Sequence, residues 1–412
     1  MLIKNSCSLI TLLIPFFCYS QYTGTGSITQ GVATTITSNL YTCTGGRIAG
    51  IGTKTATDNS VWILPAVVNY TNTNFPFASN LHNVCTGANY ASSSAALAAL
   101  TGTDIVTIDA NGEVITAYIF ADNYFEMYIN GIAVGKDNVP FTQFNSNIVR
   151  FKVNKPFTIA MLLVDWEENL GLGSENNNGF TYHPGDGGMV AVFKDATNNI
   201  IATTGSNWKA QTFYTSPITD LSCPTESGTH RLTTNCSTAD SNNGTAYYGL
   251  HWSRPVNWAS ASFNDASWPS ATIYSNTTIG VSNKPAYTNF TNIFDDVTND
   301  AQFIWSSNVI LDNEVIVRYT VNATTSIREN SNINKRIGLY PNPASNQLKL
   351  DIDETIKLSD IKYLSIFNSN GEKIYETKTY DGNINVNAFS KGLYIVKILL
   401  NDYQITEKLI IE

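Results

Sequence analysis

From Ile337 to Glu412 the chain is a succession of short runs in which apolar and polar residues alternate: QLKLDI, IKYLSIFN, EKIYETKTY, GLYIVKILL and QITEKLII. A period of two places one set of side chains on a single face of a strand. Just ahead of these runs, Tyr340 leads into Pro341-Asn342-Pro343, and prolines rule out helix and central strand at that point. Asn370-Gly371 separates two of the runs, where a tight turn needs residues that tolerate positive φ. Asp381-Gly382 and Lys391-Gly392 punctuate the others. The pattern predicts a small antiparallel β-sandwich over 337–412, joined to the rest by a polar linker at 322–336.

The phrases LYPNPASNQLKL, YLSIFNSNGEKIY, FSKGLYIVKI and the closing EKLII occur in that order. They resemble the C-terminal sorting domain of the type IX secretion system of Bacteroidetes. The resemblance covers only 337–412 and implies an Ig-like β-sandwich that acts as an address. It implies engagement with the type IX machinery, passage across the outer membrane, and release or surface attachment. On the activity of the remaining chain it is silent.

The start of the sequence agrees with that route. Lys4 precedes the apolar run LITLLIPFF and then CYSQ, the pattern of a secretory signal peptide over 1–20 with cleavage before Gln21. Lipidation at Cys18 is the competing reading, disfavoured by the bulky Phe17 where that processing needs a small residue. The run is too short to span a bilayer, and no later stretch holds about eighteen apolar residues. The mature chain is therefore expected to have no transmembrane segment, and to be secreted or held at the outer-membrane surface after Sec and type IX export.

Charge and cysteines narrow the partners. Charged residues make up 14% of the chain, the net charge is −9, and Lys and Arg never cluster. A nucleic-acid surface needs a basic face to neutralise phosphates, so no nucleic-acid partner is expected. Of the 6 cysteines, Cys7 and Cys18 fall in the signal peptide. An even remainder in an exported chain is expected to be oxidised. Local pairing, Cys43–Cys85 and Cys223–Cys236, is preferred among the connectivities open to four cysteines. A Cys/His metal site is the weaker reading, because no Cys-x-x-Cys spacing is present.

With 21 Tyr and 19 Phe, and many Val, Ile and Thr, the composition favours sheet, and the chain reads as all-β. Only SSSAALAAL, Ser92 to Leu100, reads as helix. Residues 21–109 read as a β-rich segment with few large side chains for a core of its own. Over 110–321 strands follow quickly: Val114 to Phe120, a turn at Ala121-Asp122-Asn123, then Tyr124 to Ile129. Asn130-Gly131 is the strongest hairpin signal. FTIAMLLVDW, the hairpin of GMVAVFKD with NNIIATT, AQFIWSS and NEVIVRYTV continue the series, which calls for a jelly roll or β-sandwich.

Three of these phrases, ADNYFEMYINGIAVG, WASASFNDASWP and FIWSSNVILDNEVIVRYTV, resemble pieces of the galactose-binding-like jelly-roll modules attached to many carbohydrate-active enzymes. The matching residues are Asp122, Asn123, Phe125, Tyr128, Asn130, Gly131, Phe263, Asn264, Asp265, Trp268, Arg318 and Tyr319. Their order departs from the family's, since the Trp-rich phrase here follows the Asn-Gly hairpin. The resemblance implies a jelly roll over 110–321 in which most of these positions are core and turn residues.

Two constellations carry chemistry. In DWEENLGLGSENNNGFTYHPGDGG, Asp165, Glu167 and Glu168 end an apolar strand and a Gly/Asn-rich loop reaches His183 and Asp186. Three readings stand together: a solvated loop whose Gly and Asn turn corners, a Ca²⁺ site using Asp165, Glu167 and Asp186, or opposed carboxylates acting on a glycosidic bond. No His-Glu-x-x-His, serine elbow or phosphate loop is present. In AYYGLHWSRP, Tyr248, Trp252 and Arg254 offer rings and polar groups for a sugar face, with Trp252 divided evenly between core and ligand contact. Trp166 and Trp208 read as packing.

The sequence thus leaves three functions: a secreted non-catalytic protein binding glycan or another extracellular surface, a polysaccharide-acting enzyme using the acidic loop 165–186, and a structural or adhesion protein with no small ligand. The feature that separates the first two is whether Asp165, Glu167 or Glu168 converges with Asp186 or His183 in a cleft.

Overall fold

The computed structural model describes residues 21–41, 43, 47–141, 144–296, 301–322, 337–352, 357–400 and 404–412. The signal peptide and nearly all of the linker lie outside the described residues. Two compact units are present, 1–322 and 323–412. Among the described residues no helix is long and apolar enough to cross a membrane.

The first unit is built on two large, mainly antiparallel sheets. One has seven strands in the order Ser27–Gln30, Tyr248–His251, Lys209–Ile218, Asp312–Val321, Phe157–Val164, Tyr124–Ile129 and Ile132–Lys136. The other runs Thr272–Tyr274, Phe303–Trp305, Gly188–Lys194, Glu113–Asp122, Ser146–Val153, Ser79–Asn83 and Ala88–Asn89. Two further strands, Ile200–Thr203 and Ile105–Thr107, pair beside this path to make nine. Ile159, Met161 and Leu163 from the first sheet share one core with Ile115, Ala117 and Ile119 from the second. The sheets therefore face each other as a sandwich.

The opposite face of the seven-stranded sheet is covered too. Leu162, Val164 and Ile316 pack there with Tyr41, Ala49 and Ala66 from the N-terminal segment. A strand buried on both faces is apolar at both parities, which is why all eight residues of Phe157–Val164 are buried and why its sequence does not alternate. Residues 21–109 do not form a unit of their own: they supply strands to both large sheets and a lid to one.

Local signals were met to different degrees. Asn130 and Gly131 adopt φ of 51° and 85° in the hairpin joining Tyr124–Ile129 to Ile132–Lys136. The predicted helix spans Ser93–Ala98, with Ser92 Oγ accepting from Ala95 N at 3.2 Å. At Asp122-Asn123, however, the chain does not make a hairpin. Glu113–Asp122 and Tyr124–Ile129 belong to different sheets, and Asn123 is the crossing, its N–H donating to Val164 O at 3.2 Å. Alternation reports a strand's faces and not its partner, so a sheet change reads like a turn. Short helices at Asn276–Ile279, Pro285–Thr288 and Thr291–Phe294 were also unforeseen. Each is about one turn long, too short to show a helical period.

Both disulfides form as paired in the sequence reading, with Cα–Cα separations of 5.0 Å for Cys43–Cys85 and 5.1 Å for Cys223–Cys236.

The second unit is a smaller two-sheet structure. Ile337–Tyr340, Gln347–Ile352 and Ile384–Asn385 form one sheet. Lys373–Thr377, Tyr363–Asn368, Gly392–Leu399 and Gln404–Ile411 form the other. Ile337, Leu348 and Ile384 meet Leu364, Val396 and Leu409 in a common core. Asn342, held between its two prolines, donates through Nδ2 to Lys408 O at 2.7 Å and accepts from Ile410 N at 2.9 Å. The opening motif thereby fastens the closing strand.

Candidate functional site

Strand register assembles the acidic residues. Asp122 ends its strand opposite Gly188. Val164 ends its strand opposite Tyr124, so Asp165 emerges beside the Asp122-Asn123 crossing. Asp186 precedes Gly188 by two residues. At this end of the sandwich lies a cleft of about 790 Å³ lined by Asp122, Asp165, Glu167, Glu175 and Asp186, with His82, His183, Arg47 and Lys284. The convergence that separates the functional readings is present: Asp165, Glu167, Asp186 and His183 share one cavity.

Burial dominates its electrostatics. Asp165 and Glu167 are only 2% and 5% exposed. Both carboxyls are pushed well above the usual range, first by burial and then by the neighbouring charge of Glu167 on Asp165 and of Glu175 on Glu167. Asp122 is raised in the same way, by burial and then by Asp186. Asp186 is raised less, to about 6, by burial and Glu175, with His183 and Lys284 opposing. One site therefore holds carboxyls that keep their proton and one that ionises near neutrality, the separation that acid/base chemistry requires.

Local geometry fixes the pair. Gly185 N donates to Glu167 Oε1 at 2.6 Å. A Cβ on Gly185 would lie 2.5 Å from that oxygen, so a larger residue there would displace the Glu167 carboxyl or the loop. Arg47 binds Glu175 at 2.9 Å, and His183 Nδ1 pairs with Asp240. Glu168, by contrast, accepts from Asn176 N at 2.8 Å and does not line the cleft.

The sequence missed Glu175, Arg47 and Lys284 as site residues and placed Asp122 in a turn. For Asp122 a signal existed: like Asp165, it is an acid at the end of a strongly apolar strand. Arg47 and Lys284 carried none, because they arrive from distant loops.

Two further expectations concern a metal and an aromatic platform. Among the described residues no group of three or more His, Cys, Asp or Glu is disposed to hold a metal ion. Asp165, Glu167 and Asp186 line the same cleft. The platform of Tyr248, Trp252 and Arg254 is also absent as conceived. Trp252 is 7% exposed, its Nε1 donates to Glu226 Oε1 at 3.0 Å, and the Arg231 guanidinium lies 4.6 Å over its ring. Arg254 is spent on Glu314 at 3.1 Å and Val67 O at 2.7 Å. Tyr248 lies in the strand Tyr248–His251, paired on both sides. Trp166 and Trp208 are fully buried, donating to Gly50 O and Thr203 O.

Outside the cargo unit the sequence comparison is decisive: residues 338–412 match the secretion system C-terminal sorting domain family. The chain ends in a type IX sorting domain. That domain places the protein outside the cell or at its surface and makes the secretion machinery a partner. No curated protein matches the chain. Among solved structures it is similar to Faecalibacterium prausnitzii beta-glucuronidase, at 10% identity over 94% of this chain and 45% of that one. It is also similar to dimeric latent PorU from Porphyromonas gingivalis, at 12% identity over 94% and 34%, and to the Pleurotus ostreatus lectin in its apo form, at 12% over 94% and 85%. The chain spans less than half of the first two, and each TM-score is 0.15, too low to establish a common fold.

Proposed function

We propose that the exported cargo is a carboxylate-dependent enzyme acting on an extracellular polysaccharide. The observation that carries this reading is the convergence of Glu167 and Asp186 in one cleft with their carboxyls shifted apart. In this mechanism the Glu167 carboxyl gives its proton to the leaving glycosidic oxygen as the C–O bond breaks. Ionised Asp186 takes a proton from the water whose oxygen bonds to the anomeric carbon. Export outside the cell supports a polymer too large to enter it. The two facing sheets support the jelly-roll reading of 110–321, with the cleft at one end of the sandwich.

The test is release of reducing ends from a panel of polysaccharides by the exported protein, beside Glu167→Gln and Asp186→Asn. Removing a positioned acid or base lowers turnover by about 10²-fold or more, and both variants should retain the wild-type melting temperature within a few degrees. Binding without turnover by a folded wild type would return the cargo to the non-catalytic class.

A further inference from the structure

Among the described residues, two buried polar atoms at the cleft have no hydrogen-bond partner: Asp165 Oδ2 and His82 Nδ1. Their residues are 2% and 4% exposed, and both line the cavity. A buried acceptor left unpaired is costly, and a native site tolerates one where a ligand completes it. The surroundings say what kind of ligand. Carboxylates outnumber cations along the cleft, and Arg47 is already tied to Glu175 at 2.9 Å. His82 adds no charge, because burial holds its imidazole below the usual range. Neutral imidazole protonated on Nε2 presents Nδ1 as an acceptor. His82 Nδ1 therefore asks for a donor, as Asp165 Oδ2 does once its proton is displaced, and a cation is the ligand that displaces a proton from clustered carboxyls.

We infer that the cleft takes a polysaccharide carrying free amino groups, with an ammonium seated on Asp165 Oδ2. This rests on the glycan reading above and names the substrate class of the same site. Uronate or sulfate polymers would bring anions against buried carboxylates. A neutral glycan would displace no proton from these carboxyls and would gain no ion pair. Seating an ammonium on Asp165 draws its carboxyl into the ionised form, so binding expels a proton to solvent.

The experiment is calorimetry on the exported chain with chitosan oligomers, fully acetylated chitin oligomers of equal length and poly-L-lysine, in two buffers of different ionisation enthalpy. Chitosan should bind about tenfold or more tightly than its acetylated counterpart, equivalent to about 1.4 kcal/mol, with net proton release. Asp165→Asn should reduce that preference to about twofold, again by affinity ratio. Should that variant not fold, the wild type at alkaline pH decides the matter. Raising pH ionises the cleft and strengthens its attraction for a permanent cation, so a preference that disappears there identifies the sugar amine. Equal affinity for amino and acetylated oligomers, a preference that survives deprotonation of the amine, or stronger binding of poly-L-lysine overturns the inference. Chitosan bound with preference but not cleaved keeps it and removes the enzymatic reading. Equal affinity with cleavage of both oligomers does the reverse.

Discussion

Arg318 and Asp265 form an ion pair at 2.7 Å, and the arginine is only 2% exposed. Its remaining nitrogens donate to the carbonyls of Trp258, Ser260 and Phe263. One side chain from the central strand Asp312–Val321 thus holds the whole Trp-rich loop against the sandwich. These are residues of the galactose-binding-like phrases, and here they serve architecture. Arg318→Ala should cost about 3 kcal/mol or more of cargo stability, since it empties a buried site and leaves three carbonyls and the half-buried Asp265 without their donor. Chemical denaturation reads this directly, and a loss under about 1 kcal/mol would assign the pair to the weak surface class.

Gly185→Ala tests the catalytic geometry without touching a carboxylate. The added methyl would stand 2.5 Å from Glu167 Oε1, so the Glu167 carboxyl or the loop must shift and their hydrogen bond is disturbed. Turnover should fall by about 10²-fold, the scale of a misplaced catalytic group, with a melting temperature near that of the wild type. Full activity would show that Glu167 is not positioned by this contact.

Stability should rise on mild acidification. Burial pushes Asp137 up to about 7 and Asp312 to about 6, and it raises Glu314 to about 7 despite Arg254 at 3.1 Å. Each keeps a proton in the folded protein that the unfolded chain has released, so its stabilisation is complete below about pH 4 and is lost as pH rises through the folded value. His251 works the other way: burial lowers it to about 3, and it destabilises the fold as pH falls below roughly 6.5. Carboxyls outnumber it in the overlapping window. The cargo melting temperature should climb from about pH 8 to about pH 5 and fall again below about pH 4. Asp137→Asn should flatten the climb, and a melting temperature that rises from pH 5 to 8 would contradict this balance.

The two disulfides should differ in worth. Their sequence separations are 42 and 13, and loop entropy alone assigns about 4 and about 3 kcal/mol. Replacing Cys43 and Cys85 by Ala should therefore destabilise more than replacing Cys223 and Cys236. Denaturant midpoints for the two double variants settle the order.

In the sorting unit, Asn342→Ala removes both bonds to the closing strand. Each is worth about 1 kcal/mol, and Gln404–Ile411 should exchange its amide protons faster as a result. If the motif acts through this clasp, the variant should accumulate in the periplasm, as should the deletion of 337–412. Normal appearance of the deletion outside the cell would show that the address lies elsewhere.

The all-β class, the Asn130-Gly131 hairpin, the cysteine pairing and the sorting unit were legible because each depends on residues near in sequence or on a period that one strand displays alone. The acidic cleft was half legible. Asp165, Glu167 and Asp186 stood out along one loop, but whether they faced solvent or each other depended on strand register, which places Asp122 opposite Gly188 and Asp165 beside the sheet crossing. Trp252 shows the same limit from the other side. Its neighbours in sequence left core and ligand contact equally open, whereas Glu226 and Arg231, from a separate hairpin, bury it. Local sequence determined which strands and turns this chain makes. Burial, and with it the proton affinity of every carboxyl in the cleft, was decided by segments that meet only when the two sheets close.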